Sequence, residues 1–468
     1  MGPMSVLFLV VSIVGALFTL NAYFPIRRTV QLGIPSFMAA WLTNEGAPLQ
    51  LLWQAAATVL FVALGALDEP AGWVGLAVTL ASWAGLVGLI VQSFSTRSSM
   101  VDALAAVFGR DYEGHIDADF AGSEPRRLAW NQLLFPFSFS TRTIEVTRNI
   151  SYREQSGRRG RLDVYRPRGS DPKDPRPTLL YVHGGGWIVG NKRDQGRPLL
   201  ERLAGDGWVC IACNYRLAPR SVFPAQALDV KQALRWAKEV GPTYGVDPDF
   251  VVIAGGSAGG HLAAFTALTA NDAELQPGWE SVDTSVVACV SFYGVYDFTN
   301  GAHQYYPETL PWLLRKFVMR VPLDHEHRSA YEQASPYFRI TPEAPPFLVV
   351  AGTRDTLVPI AEPRRFIAAL AEVSHAPVVY AELHGAQHAF DTFHSIRAAL
   401  AITGAQQFVD LLRTARRRGQ TFTAHPCAGR TGATSPPDPP GSPSAANAAP
   451  SGGTAGNDPT TTGRTAPS

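Results

Sequence analysis

The chain has 468 residues and a net charge of +1, with 40 Lys and Arg against 39 Asp and Glu. With no dense basic block to meet a phosphate backbone, that balance argues against a nucleic-acid partner. The apolar content of 46% is ordinary but unevenly placed: residues 4–24, 46–67 and 70–94 carry no Asp, Glu, Lys or Arg, and nearly all charge lies beyond residue 96.

A spanning helix needs about 20 apolar residues to cross the hydrocarbon core. Three stretches reach that length: Met4 to Phe24, Ala47 to Leu67 with Gln50 and Gln54, and Ala71 to Phe94. Residues 1–95 are therefore expected to be a transmembrane region of about three helices. The first stretch lacks a basic n-region and a small-residue cleavage site, so it reads as an anchor rather than a signal peptide. Arg27 and Arg28 follow it, Arg97 and Arg110 follow the third, and Asp68 and Glu69 lie between the second and third. The positive-inside bias then puts the N-terminus outside and the remainder of the chain in the cytoplasm.

Residues 96–141 read as a connector of unusual aromatic density. Arg126 and Arg127 precede Leu128, Trp130, Leu133, Leu134, Phe135, Phe137 and Phe139. Such residues are expected to pack on the next domain, on the membrane surface, or on an acyl chain passing between them.

From 142 to 418, short apolar strands alternate with longer helices. Strands are predicted at Thr143–Tyr152, Gly160–Tyr165, Thr178–Val182, Trp208–Tyr215, Val251–Ala254, Val286–Phe292, Phe347–Ala351 and Val378–Leu383. Helices are predicted at Ala225–Val240, Ala258–Thr269, Glu362–Glu372 and Thr392–Arg413. This alternation predicts an α/β fold, a mainly parallel sheet flanked by helices. Residues 419–468, rich in Pro, Ser, Thr, Ala and Gly, are expected to be a disordered tail. Of the four cysteines, at 210, 213, 289 and 427, Cys210 and Cys213 fall three apart on a strand. Residues so spaced face opposite sides, which predicts buried thiols rather than a disulfide or metal pair.

Val251–Ala254 runs into Gly255-Gly256-Ser257-Ala258-Gly259-Gly260, which opens a helix. A serine held on a strand-to-helix turn between glycines presents its hydroxyl as a nucleophile. Upstream, Leu179–Val182 leads into His183-Gly184-Gly185-Gly186-Trp187. Glycine amides there, with the N–H of Ala258, can approach a developing oxyanion without interference from side chains. A serine nucleophile needs an imidazole base and a carboxylate to orient it. Asp355 follows the strand ending at Ala351 and His388 follows the next, giving the order Ser, Asp, His. Asp297, Glu382 and His384 compete for these roles and are less well placed, and His183 reads as a brace for the glycine loop.

Residues 142–413 resemble the hormone-sensitive-lipase-like branch of α/β-hydrolases. The resemblance is carried by His183-Gly184-Gly185-Gly186-Trp187, Asn214-Tyr215-Arg216-Leu217-Ala218-Pro219, Phe223-Pro224-Ala225 and the Ser257 motif. It implies a carboxylesterase or lipase acting without metal or cofactor, and gives the triad roles to Ser257, Asp355 and His388. It also implies two oxyanion donors from the loop, Gly185 and Gly186 being preferred and Gly184 remaining open. Arg220 and Gly256 depart from the residues such relatives often carry, which leaves the acyl preference open. The membrane-anchored layout resembles actinobacterial Lip-type esterases. Expected substrates are short- to medium-chain or lipid-derived acyl esters. An arylformamidase- or isoprenylcysteine-methylesterase-like hydrolase would use the same triad, whereas a catalytically dead membrane adaptor would require damage to the triad or loop that this sequence lacks.

Overall fold

A computed structural model describes residues 2–26, 30–120, 130–139, 142–303, 305 and 309–420. Arg27, Arg28, Arg126, Arg127, Leu128, Cys427, the tail from 421 onward and the side chain of Trp130 lie outside the described residues.

Four helices open the chain: α1 (Pro3–Tyr23), α2 (Val30–Glu45), α3 (Ala47–Ala63) and α4 (Pro70–Phe108). Two of them, α1 and α4, are long and apolar enough to cross a membrane, and α2 and α3 together form a pair bent by 86°. α1 and α4 run parallel, with Ser12 bonded to Thr79 and Thr19 to Ser82, each at 2.8 Å. Their backbones meet at glycine: a Cβ on Gly75 would stand 3.1 Å from the Leu9 Cα. Small residues at such a contact let two helix backbones approach closely. α3 returns antiparallel, with Ala47 against Leu86 and Leu89 and Phe61 against Phe8. The sharp bend before it needs Gly46, where a Cβ would meet the Leu42 carbonyl at 2.6 Å. The sequence reading gave α2 no helix. It extends the apolar unit sideways, on the side where α1 ends and α4 leaves.

At 39 residues, α4 continues past the third apolar stretch and through the beginning of the expected connector. At ~1.5 Å per residue it is longer than the hydrocarbon core requires. Its C-terminal part packs on the second half of the molecule through Met100 and Leu104. A short helix, α5 (Trp130–Leu134), precedes the sheet.

The sheet comprises β1 (Ile144–Ser151), β2 (Arg161–Pro167), β3 (Arg176–Val182), β4 (Val209–Cys213), β5 (Val246–Gly256), β6 (Ala288–Phe292), β7 (Phe347–Gly352) and β8 (Val378–Leu383). Their order is β1-β2-β4-β3-β5-β6-β7-β8. β2 pairs antiparallel with β1 and β4, and the other neighbours are parallel. The crossovers are carried by α6 (Arg197–Gly205), α7 (Ala225–Glu239), α8 (Ala258–Leu268) and α11 (Ala361–Val373), with α12 (Ile396–Arg417) closing the domain. Two short helices, α9 (Thr309–Leu313) and α10 (Arg328–Gln333), lie in the insertion between β6 and β7. α12 starts at Ile396 rather than Thr392 because the Ser395 side chain accepts from the Ala398 N–H and caps it.

Central strands are apolar on both faces, and alternate residues feed two cores. Val251, Ile253 and Cys213 enter one; Val252, Ala254 and Cys210 enter the other. Cys210 and Cys213 therefore sit on opposite faces as free buried thiols.

Asp410, on α12, is 1% exposed. Burial outweighs the attraction of Arg413 and pushes its carboxyl up to about 7. An unfolded Asp titrates near ~3.9, so the folded state binds this proton more tightly, and that contribution to stability is lost as pH rises toward 7. Asp410→Asn is expected to melt higher than wild type at pH 8, by a margin that shrinks at pH 5. Thermal melts in detergent at the two pH values check this, and an equal margin at both would contradict it.

Candidate active site

Ser257 stands between the end of β5 and the start of α8 with φ 58 and ψ −123. That conformation is costly for a residue with a side chain, by about 1–3 kcal/mol, and persists only where the surroundings dictate it. The Ser257 N–H donates to the Phe292 carbonyl at 3.0 Å, tying the turn to β6. The turn also demands glycine behind it, since a Cβ on Gly259 would lie 2.0 Å from the Val182 carbonyl oxygen. Ala258 is the first helical residue of α8, where the N–H has no acceptor within the helix and the dipole favours negative charge.

The loop after β3 lies against this turn: a Cβ on Gly184 would reach the Ser257 Cβ at 3.0 Å. The Gly184 N–H donates to Gln195 Oε1 at 2.7 Å, which commits it elsewhere and leaves Gly185 and Gly186 as the candidate oxyanion donors of the loop. Both adopt positive φ, 107 and 59. His183 supports the loop. Its Nδ1–H donates to the Gly184 carbonyl at 2.7 Å, and its ring stacks on Tyr215 at 4.4 Å, whose hydroxyl donates to the His183 carbonyl. Burial pulls the His183 imidazole down to about 4, so it is neutral at physiological pH. Trp187 is fixed by its indole N–H to His261 Nδ1, and His261 Nε2–H donates to the Ala334 carbonyl.

Asp355 follows β7 and His388 follows β8, both buried. Asp355 Oδ2 accepts from His388 Nδ1 at 2.7 Å, while Oδ1 accepts the N–H groups of Leu357 and Val358, each at 2.8 Å. The carboxylate is thus fully engaged in orienting the ring. The competitors are engaged otherwise: Asp297 pairs with Arg365, Glu382 with Arg364, and His384 is exposed.

Tyr293 joins the two halves of the site. Its ring centroid is 4.5 Å from that of His388, and its hydroxyl would lie 2.8 Å from a Cβ on Gly256, beside the serine. That hydroxyl donates to Asp391, whose carboxyl burial lifts to about 6. On the other side, the ring of Phe37 of α2 stands nearly perpendicular to the imidazole, their centroids 6.1 Å apart. The sequence reading missed Tyr293, Gln195, Asp391 and Phe37. A Tyr directly after an apolar strand, and an aromatic-containing stretch ending in Asn44-Glu45 beside charge-free segments, were the available signals.

A family model described as BD-FAE matches residues 162–370. The chain is 39% identical to the probable carboxylic ester hydrolase LipM of Mycobacterium tuberculosis over 86% of this chain and 92% of LipM. It is 42% identical to the esterase LipQ of the same organism over 58% of this chain and 65% of LipQ. It is 40% identical to that organism's esterase LipC over 54% of this chain and 63% of LipC. With a mainly parallel sheet, a serine at its strand-to-helix turn and relatives of this extent, the chain belongs to the Lip-type esterases, serine carboxylic-ester hydrolases of the α/β-hydrolase fold.

Proposed function

We propose that hydrolysis runs through an acyl-enzyme on Ser257, with His388 as base and Asp355 as its orienting carboxylate. The observation that carries this reading is the 2.7 Å bond between Asp355 and His388 on successive loops at the strand ends where Ser257 sits. His388 takes the Ser257 proton as Oγ attacks the ester carbonyl. The oxyanion is held by the amides of Ala258, Gly185 and Gly186, with Gly184 a scaffold rather than a donor. Collapse breaks the ester C–O bond, and the imidazolium returns its proton to the leaving alcohol. Water, deprotonated by His388, then attacks the acyl-enzyme, and the acid and Ser257 are released.

The substrates we propose are short- to medium-chain or lipid-derived acyl esters. Support comes from the apolar unit joined to the hydrolase and from the exposed Phe135 and Phe137, the latter packed 4.7 Å from Phe393 in the histidine loop. We further propose that α1, α3 and α4 each cross the bilayer, making the protein multi-pass. The hydrolase then lies in the cytoplasm, with Arg97 and Arg110 on its side and Asp68 and Glu69 on the other.

A fluorophosphonate probe should label wild type, and Ser257→Ala should lose both labelling and turnover of p-nitrophenyl esters. Asp355→Asn should lower kcat by about 10⁴, as expected when the imidazole is held in the wrong tautomer. Labelling that survives Ser257→Ala would refute the nucleophile. For topology, alkaline phosphatase fused after Gly419 should be inactive and cysteines placed at Asp68 should react with an impermeant reagent from outside; an active fusion reverses the orientation. For the substrate, Phe135→Ser with Phe137→Ser should reduce turnover of bilayer-embedded long-chain esters while sparing p-nitrophenyl acetate. Equal losses on both would leave those rings with a packing role only.

A further inference from the structure

The histidine loop, Leu383 to Ser395, does not stand on the hydrolase domain alone. Asn44 Nδ2 donates to the Gly385 carbonyl at 2.7 Å, three residues before His388. Trp41 Nε1 donates to the Ala389 carbonyl at 2.8 Å, immediately after it. At the far end, Glu45 accepts from Ser395 at 2.7 Å and from Arg397 Nε at 2.9 Å, and Arg397 Nη1 donates back to the His384 carbonyl at 3.0 Å. Phe37 contributes the edge contact to the imidazole itself. All four residues lie on one face of α2: Trp41 follows Phe37 by four, and Asn44 and Glu45 follow Trp41 by three and four.

The loop has reason to need such support. Ala389 has φ 62, a left-handed conformation that costs a residue with a Cβ about 1–2 kcal/mol. Its carbonyl is the one the indole of Trp41 grips. The neighbouring acid loop is tied to the same unit, with Arg354 donating to Gln92 Oε1 of α4 at 2.9 Å and lying over the Tyr23 ring of α1 at 4.7 Å. On the adjoining flank of α2, Ile34, Met38 and Leu42 are exposed and apolar. α2 therefore carries an exposed apolar stripe beside the side chains that hold the His388 loop.

We propose that α2 is a positioning element of the active site, in which Trp41 and Asn44 hold the His388 loop in its reactive geometry through the carbonyls of Ala389 and Gly385. This rests on His388 being the base. Misplacement of a reacting group by about 1 Å can cost about 100-fold in rate, so these two bonds bear on kcat rather than on substrate affinity.

The test uses the full chain in detergent. Trp41→Phe keeps the ring and removes the donor; Asn44→Ala removes the other donor. Tyr112→Phe is the control, deleting a buried hydrogen bond of the same N-terminal region to Gln407 on α12, away from the histidine loop. Each α2 variant is expected to lower kcat on p-nitrophenyl acetate about tenfold and the double variant about 100-fold, with KM within twofold. Fluorophosphonate labelling should slow in parallel, while Tyr112→Phe keeps wild-type kcat. Wild-type kcat in the α2 variants, an effect confined to KM, or an equal fall in Tyr112→Phe would overturn the proposal. If the double variant does not fold, Trp41→Phe alone decides. Ser257→Ala in the same series separates the two failures: turnover surviving there sinks the site reading, whereas a dead Ser257→Ala beside a fully active Trp41→Phe sinks only the role of α2.

Discussion

The left-handed turn at Ser257 is the constraint around which the catalytic half is arranged. A serine at φ 58 between a strand and a helix is unfavourable in isolation, and the sheet compensates by crowding it. β6 takes its N–H, β3 leaves no room for a side chain at Gly259, and the glycine loop after β3 comes within contact of its Cβ. Each of those contacts needs parallel central strands ending at one level. The mainly parallel order, with β3 and β6 on either side of β5, is therefore a condition of the site and not merely its setting.

Burial distributes the histidines among different tasks. His183 and His261 are held neutral by burial and serve as hydrogen-bonding struts beneath the glycine loop and behind Trp187. His388 is buried as well, yet its Nδ1 faces a carboxylate whose other oxygen is saturated by two backbone amides. With His388 as the proposed base, a strut and a base would thus differ in what the second ring nitrogen meets. A backbone carbonyl or an indole fixes a tautomer, whereas a paired carboxylate also stabilises the charge that a base must acquire.

Most of the hydrolase half was legible in the sequence because its signals are local. Short apolar strands, the glycines around Ser257 and the positions of Asp355 and His388 each just past a strand are read from contiguous segments. α2 was not legible, since Val30–Glu45 is apolar without being long enough to span and carries a proline at Pro35. Its partners, Gly385, Ala389 and Ser395, are more than 300 residues away, and no periodicity reports such pairings. The committed amide of Gly184 was hidden for the same reason: Gln195 gives no sign in sequence that its side chain turns back to the loop.

The apolar unit also solves a problem of the sheet. β8 is an edge strand, and an open edge leaves unpaired backbone groups that invite association with other chains. α4 packs along β8 and on α12, so the last strand is covered by a helix that begins in the apolar unit. The strand so covered is the one whose following loop carries His388, and the same unit supplies Phe37 against the imidazole. Glu45 and Arg397 complete the junction as a buried ion pair, 1% and 0% exposed at the side chain. Removing one partner of such a pair strands the other charge at a cost of about 3–5 kcal/mol, which makes separation of the two halves expensive. Edge protection and loop geometry thus converge on a single interface with the apolar helices.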